Sequence, residues 1–281
     1  MAPYEFELAI DLRKQGDTRN LLKSCGAKVL AGFDYRNQFP WLDISLAFEG
    51  DIQLVRKHQH VSDDLVSLVD TVAAAGSLER VGICRPSDLA SRQSAFVPRL
   101  RKLGVYRRRL VCVHPASGNE MRQWPPERFA EISNALIASE DVDIALIGGP
   151  DEEAFAASVE RHIHDHSRVH NLIGKFKLDE LPYFLETCAL FIGNNSGPKH
   201  MAAGLGVPTV GIHSGVVDAR EWGPLGPYAV AVQRNMNCSP CYFATRDQCH
   251  RGLACLNGLT AAQIISTCRK FLRLERGLPI N

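Results

Sequence analysis

The residues best suited to chemistry lie in one segment, FIGNNSGPKHMAAGLGVPTVGI, running from Phe191 to Ile212. An apolar strand runs into a polar turn, and a helix follows whose first turn holds Ser196, Gly197, Pro198, Lys199 and His200. Glycine lets backbone come close to a ligand, and first-turn amides at the positive end of a helix point toward anions. The segment therefore reads as a diphosphate seat, with Lys199 and His200 as further donors. A plain strand–turn–helix with a capped start fits the same pattern.

A second segment, VHPASGNEMRQWPPERF from Val113 to Phe129, places a Ser/Gly/Asn loop and Arg122 between another strand and another helix. A cation there can neutralise a phosphate, with Ser117 and Gly118 contributing a hydroxyl and amides. Alone, Arg122 reads as a surface residue; paired with the first segment it forms the opposite wall of one cleft. Two other nucleotide signatures fail. Gly204 and Gly206 stand at a helix end rather than opening one after a strand, and no Walker loop is present.

The elements that must position these residues alternate short apolar runs with helix-period segments, which predicts a parallel sheet flanked by helices. Strands are expected at 8–12, 29–33, 81–84, 110–114, 142–147, 169–173, 190–193 and 207–213. Helices are expected at 17–23, at 61–75 capped by Ser62, after Pro125 and Pro126, at the acidic start 151–153, at 178–187, and after Thr260, which pairs with Gln263 in a capping box. The 281 residues suit two domains, and the boundary is expected near Val105, giving 1–105 and 106–281. There, between Arg99 and Arg109, six basic residues with little apolar periodicity read as a solvated linker. Lys+Arg 32 against Asp+Glu 31 leaves a net charge of +1, which gives no basic field for duplex nucleic acid. No apolar run is long enough to span a bilayer, and Met1 to Glu7 lacks a basic signal-peptide start. A cytoplasmic protein without nucleic-acid partners is expected.

Cys238, Cys241, Cys249 and Cys255 form a compact set near the C-terminus. Their spacing is compatible with a structural zinc site, with two disulfides, or with packed free thiols; a cytosolic setting argues against the disulfides. Cys25, Cys84, Cys112, Cys188 and Cys268 sit among apolar neighbours and read as buried small hydrophobes. The histidines at 162, 164, 166 and 170 scatter around a helix end and read as solvated surface.

The ordered combination of Val113–Phe129, Gly148–Glu153 and Gly193–Ile212, continued by Trp222–Pro227 and Cys238–Cys241, resembles glycosyltransferase family nine, the ADP-heptose–lipopolysaccharide heptosyltransferases. The resemblance covers most of the chain, from about Phe6 to Leu272. It implies a GT-B fold of two Rossmann-like domains with parallel sheets, the second holding the nucleotide sugar. It implies inverting transfer of a heptose from ADP-heptose to a lipopolysaccharide core acceptor, with no cofactor or catalytic metal required. It further implies peripheral contact with the cytoplasmic face of the inner membrane, where that acceptor is anchored. By position Arg122 stands where the family usually has lysine, and Arg122 and His200 stabilise the leaving diphosphate. Asp151 or Glu152 falls in the acidic stretch used near the donor ribose. Ser196, Gly197 and His200 match the donor-binding turn, and Asn195 replaces the usual aspartate with an amide that also donates. The family's opening strand and Gly-Asp loop, which carry its general base, have no counterpart before Leu8, so the first domain is expected to be incomplete. Asn195 and this beginning leave open a non-catalytic nucleotide-sugar binder. A sugar-nucleotide epimerase of the same architecture is a third reading.

Overall fold

Parallel strands organise both parts of the chain, whose computed structural model describes residues 6–13, 16–34, 38–47, 60–76, 89–105 and 108–275. Two compact units divide it, Met1–Arg85 and Pro86–Asn281.

The first unit is a three-stranded parallel sheet of β1 (Leu8–Asp11), β2 (Val29–Asp34) and β3 (Ile44–Ala47), in that order. Register pairs Leu8 with Val29 and Ala31 with Ile44. A short helix α1 (Leu21–Ser24) precedes β2, and α2 (Val61–Gly76) packs on β2 and β3 through Leu68 and Val72, one helical turn apart and both buried. The expected Ser62 cap is displaced by one turn position. Asp63 accepts the His60 N–H at 3.2 Å, and Ser62 already lies inside the helix. The helix expected over 17–23 is replaced by a turn that carries Arg19 inward before α1 starts. Its guanidinium is fully buried, reaching Asp11 Oδ2 at 3.1 Å, the Asp11 carbonyl at 3.1 Å and the Arg13 carbonyl at 2.7 Å. Gly32 makes room, since a Cβ there would stand 2.3 Å from Arg19 Nη1. β3 was not expected from the sequence, and the expected strand 81–84, with Cys84, lies outside the described residues.

The second unit begins with α3 (Leu89–Lys102). Then come β4 (Arg109–His114), α4 (Pro126–Ser139), β5 (Val142–Leu146), α5 (Glu153–Glu160), β6 (Val169–Asn171), α6 (Leu181–Leu185) and β7 (Leu190–Asn194). It closes with α7 (Gly197–Gly204), β8 (Thr209–His213), α8 (Ala219–Trp222), β9 (Ala229–Gln233), α9 (Ala254–Asn257) and α10 (Ala261–Glu275). The six strands are all parallel in the order β6-β5-β4-β7-β8-β9.

Their near-continuous apolar runs follow from burial on both faces. Val111, Val113, Ile144, Leu190 and Ile192 pack with Phe129, Ile132 and Leu136 of α4 and with Ile264, Cys268 and Leu272 of α10. The alternate residues Leu110, Cys112, Ala145 and Phe191 face the other way, onto α3, α6 and α7. The capping box at Thr260 is present, with Gln263 Oε1 accepting the Thr260 N–H at 3.1 Å.

This two-sided core also moves the boundary. Phe96 and Leu100 of α3 are buried with Val105, Leu110 and Phe184, so the division falls between Arg85 and Pro86 rather than near Val105. Residues 99–102 belong to a docked helix and not to a linker, and Arg99 pairs with Glu180 at the start of α6. Among the described residues no helix is long and apolar enough to cross a membrane.

Candidate functional site

In the second sheet the strand order reverses between β4 and β7, so the loops leaving their C-terminal ends part and open a crevice. Asn194, fully buried at the end of β7, holds the crevice floor: its Oδ1 accepts the Trp124 N–H at 3.2 Å and its Nδ2 donates to the Pro115 carbonyl at 2.5 Å. Gly193 lets the two strand ends approach, because a Cβ there would lie 2.9 Å from the His114 carbonyl oxygen.

The crevice holds a cleft of about 450 Å³. Ser117 and Gly118 line it after β4, Gly148, Gly149, Asp151 and Glu152 after β5, and Ser196, Gly197 and Pro198 where α7 begins. An apolar wall of Phe176, Leu178 and Leu181 stands among these polar groups, and Leu178 is 75% exposed. Ser196 is the N-cap residue of α7, yet its side chain makes no capping bond. The first-turn amides of Gly197 and Lys199 thus receive no cap from Ser196, and Pro198 has none to offer.

The Ser196 hydroxyl instead meets His114 Nδ1 at 2.9 Å, and His114 Nε2 meets Glu152 Oε2 at 3.2 Å. The same Glu152 oxygen accepts the Gly149 N–H at 2.8 Å. The His114 hydrogen bond, more than any other contact, holds the Glu152 carboxyl below its ordinary range. Glycine at 148 leaves room for this carboxylate, since a Cβ there would stand 2.5 Å from Glu152 Oε2 and displace it.

A cationic group gathers on the other residues of the turn. The Lys199 side chain is fully buried rather than offered to a ligand, which corrects the expectation of a diphosphate donor. Its Nζ contacts Asn195 Oδ1 at 2.6 Å, the Trp222 carbonyl at 2.5 Å and His213 Nε2 at 3.0 Å. The aliphatic stem turns inward because Gly211 of β8 leaves space for it; a Cβ there would stand 2.7 Å from Lys199 Cδ.

Burial, and then the Arg122 charge, bring the Lys199 ammonium down to about 7. Burial, followed by the charges of Lys199, His200 and Arg122, pushes His213 down to about 2. Arg122 stands in a single turn over 120–122, held by Asn119 Oδ1 accepting the Met121 N–H at 2.8 Å. Burial lowers its pKa too. His200 packs edge-on against Trp222, ring centroids 6.4 Å apart. Arg122 Nε, Asn195 Nδ2, His213 Nδ1 and Ser214 Oγ are buried without a hydrogen-bond partner among the described residues.

Of the expected donor-binding residues, Ser117, Gly118, Asp151, Glu152, Ser196 and Gly197 share the cleft. Arg122, Asn195, Lys199 and His200 do not line it, and interact around His213 and Trp222 instead. Sequence reasoning missed His114, Asn194 and His213. Each ends or nearly ends a strand with a polar residue after an apolar run, which was the available signal.

The four clustered cysteines line a separate cavity of about 160 Å³. All are free thiols, Cys238 exposed and Cys255 buried at α9. Among the described residues no three His, Cys, Asp or Glu side chains are disposed to hold a metal ion, so of the alternatives the spacing allowed the zinc site is not formed here. Cys112, Cys188 and Cys268 are buried as expected, whereas Cys25 is half-exposed.

A doubly wound parallel sheet with a polar, glycine-rich cleft at its switch point defines an α/β unit of the kind that takes small ligands at the ends of its strands. The chain belongs to glycosyltransferase family 9 (heptosyltransferase), whose profile matches residues 2–250. It is 28% identical over 167 residues to a lipopolysaccharide heptosyltransferase 3 of Escherichia coli, covering 58% of this chain and 46% of that one. It is 26% identical over 169 residues to a lipooligosaccharide heptosyltransferase 2 of Campylobacter jejuni, covering 59% and 52%. The chain spans about half the length of these curated relatives. Among solved structures, E. coli ADP-heptose lps heptosyltransferase II superposes with a TM-score of 0.70 at 16% identity, covering 96% of this chain and 77% of that one. A family 9 glycosyl transferase from Veillonella parvula superposes at 0.68 with 20% identity, covering 96% and 75%. The fold is GT-B-like.

Proposed function

We propose that this chain is an inverting glycosyltransferase that moves a heptose from ADP-heptose to a lipopolysaccharide core acceptor, working at the cytoplasmic face of the inner membrane. The observation that carries the proposal is the cleft itself: an apolar wall, a pair of carboxylates and a turn of uncapped amides, all at one switch point. The base of the nucleotide packs against Phe176 and Leu178. Asp151 and Glu152 face the ribose hydroxyls, and the diphosphate lies against the α7 amides. The ADP-heptose and lipopolysaccharide heptosyltransferases that the chain resembles support adenosine as the nucleoside and heptose as the sugar.

In this reading the acceptor oxygen displaces the diphosphate in line at the anomeric carbon. Charge then develops on the leaving phosphate, where the α7 dipole stabilises it, and Arg122 and His200, which stand outside the cleft lining, act on it from across the turn.

Calorimetric titration with ADP, GDP, UDP and CMP tests the donor site, and selective binding of ADP is expected. Arg122→Ala and His200→Ala should each weaken ADP by about 1.5–3 kcal/mol, the range for a hydrogen bond to a charged group. Unchanged affinity in both variants removes those residues from the site. ADP-heptose bound without any turnover on a lipopolysaccharide core acceptor replaces the transferase with a nucleotide-sugar binder.

A further inference from the structure

One loop carries the apolar wall of the cleft. Between Leu172, just after β6, and Leu181, which opens α6, the chain presents Phe176, Lys177 and Leu178 to the cleft. Its near end is tied to the loop after β5, where the Gly174 N–H donates to the Gly148 carbonyl at 2.9 Å. Its far end closes on itself. The Glu180 carboxylate accepts the Lys177 N–H at 2.8 Å, and the Lys177 carbonyl accepts the Glu180 N–H at 3.0 Å.

The stretch between these ties is held from outside. Arg99, in the last turn of α3, does not line the cleft. Its Nη2 donates to the Lys175 carbonyl at 2.6 Å, and its Nη1 pairs with the Glu180 carboxylate. One planar fork thus spans the segment 175–180 from end to end. The guanidinium carbon also stands 5.8 Å from the ring centroids of both Phe96 and Phe176. Phe176 stacks in turn on Phe184, with centroids 4.6 Å apart. Leu178, largely exposed, is placed by the backbone on either side of it.

We propose that Arg99 is a positioning residue for the nucleoside, fixing the 175–180 loop in the shape that offers Phe176 and Leu178 to the base. A wall already in shape spares the ligand the cost of ordering it, so the fork raises affinity without touching the nucleotide. The inference rests on the nucleoside diphosphate reading of the cleft, in which the base packs on this wall and the diphosphate lies against α7. Its effect must therefore follow the base and not the phosphates.

The test is calorimetric titration of the full chain with ADP directly, and with inorganic pyrophosphate by displacement of ADP. Wild type, Arg99→Met and Arg99→Lys are compared, and amide hydrogen exchange is read on the three free proteins. If Arg99→Met leaves the loop in its wall shape about a tenth of the time, ADP should bind about tenfold more weakly. Pyrophosphate should bind all three proteins equally. Lysine keeps the charge but not the fork, so Arg99→Lys should fall between the other two. Exchange at 176–179 should quicken in Arg99→Met while β4, β5 and β7 stay as protected as in wild type.

Unchanged ADP affinity in Arg99→Met, ADP and pyrophosphate weakened alike, or unchanged exchange in the loop overturns the inference and leaves the nucleotide reading standing. If Arg99→Met does not fold, Glu180→Gln carries the same comparison, because it removes the charge that Arg99 pairs with. Failure of wild type to bind ADP overturns the nucleotide reading, and the inference with it.

Discussion

Methionine in place of Lys199 is expected to destabilise the protein by several kcal/mol at alkaline pH and by much less at neutral pH. Three buried polar groups lose their partner in the variant: Asn195 Oδ1, the Trp222 carbonyl and His213 Nε2. Each buried polar group left unsatisfied costs about 1–3 kcal/mol, so the loss at pH 9.5 should total about 3–5 kcal/mol after some relaxation. The pH term has a definite sign. Burial depresses the folded-state pKa of Lys199 from 10.5 to about 7. Between those values the unfolded chain binds more protons than the folded one, so wild-type stability rises with pH across that window. Below pH 7 the destabilisation is fully present. Denaturant melts of the two proteins should therefore differ by about 2–3 kcal/mol more at pH 9.5 than at pH 7. A gap that stays constant, or narrows with rising pH, would falsify the buried ammonium.

The second large effect is expected in the other unit. Arg19→Met removes the fork that spans the end of β1, leaving the Asp11 carboxylate without its cation and two carbonyls without donors. Breaking one side of a buried pair costs about 3–5 kcal/mol because the remaining charge stays buried. Thr18 Oγ1 still donates to Asp11 Oδ2 at 2.9 Å and moderates the loss. Arg19→Lys keeps the charge but not the planar fork, and should fall between the two. Hydrogen exchange should show the loss confined to β1, β2 and β3, with the six-stranded sheet of the second unit as protected as before. A change below about 1 kcal/mol, or loss of protection spread over both units, rules out this role for Arg19.

The second unit was largely legible in the sequence because each of its buried strands is a short apolar run followed by a glycine or polar turn. That reading located the strands around Val111, Ile144, Leu190 and Val210, together with the helix starts at Pro126 and Gly197. It did not find β9, whose residues are only half-buried at the sheet edge, or β3, a four-residue edge strand. It misread α3 because arginines and lysine at its C-terminal end hide the apolar positions Phe96 and Leu100.

Within the site, residue type was legible and direction was not. Lys199 sits one position from a residue turned toward the cleft, and a helical step of 100° is enough to aim it into the sheet instead. The His114 chain was invisible because its members lie 38 and 82 residues apart, joined only by the parallel register of β4, β5 and β7.

Gly211 and Lys199 carry a consequence for how this buried contact can change over generations. A methyl group at 211 would collide with the lysine stem lying over it. Any larger residue there is therefore acceptable only after position 199 has shortened, and shortening 199 first strands three buried polar groups. Each single step is a loss, so the two positions form a mutational ratchet. A library that varies one residue at a time will find both positions immutable, whereas one that exchanges them together can cross.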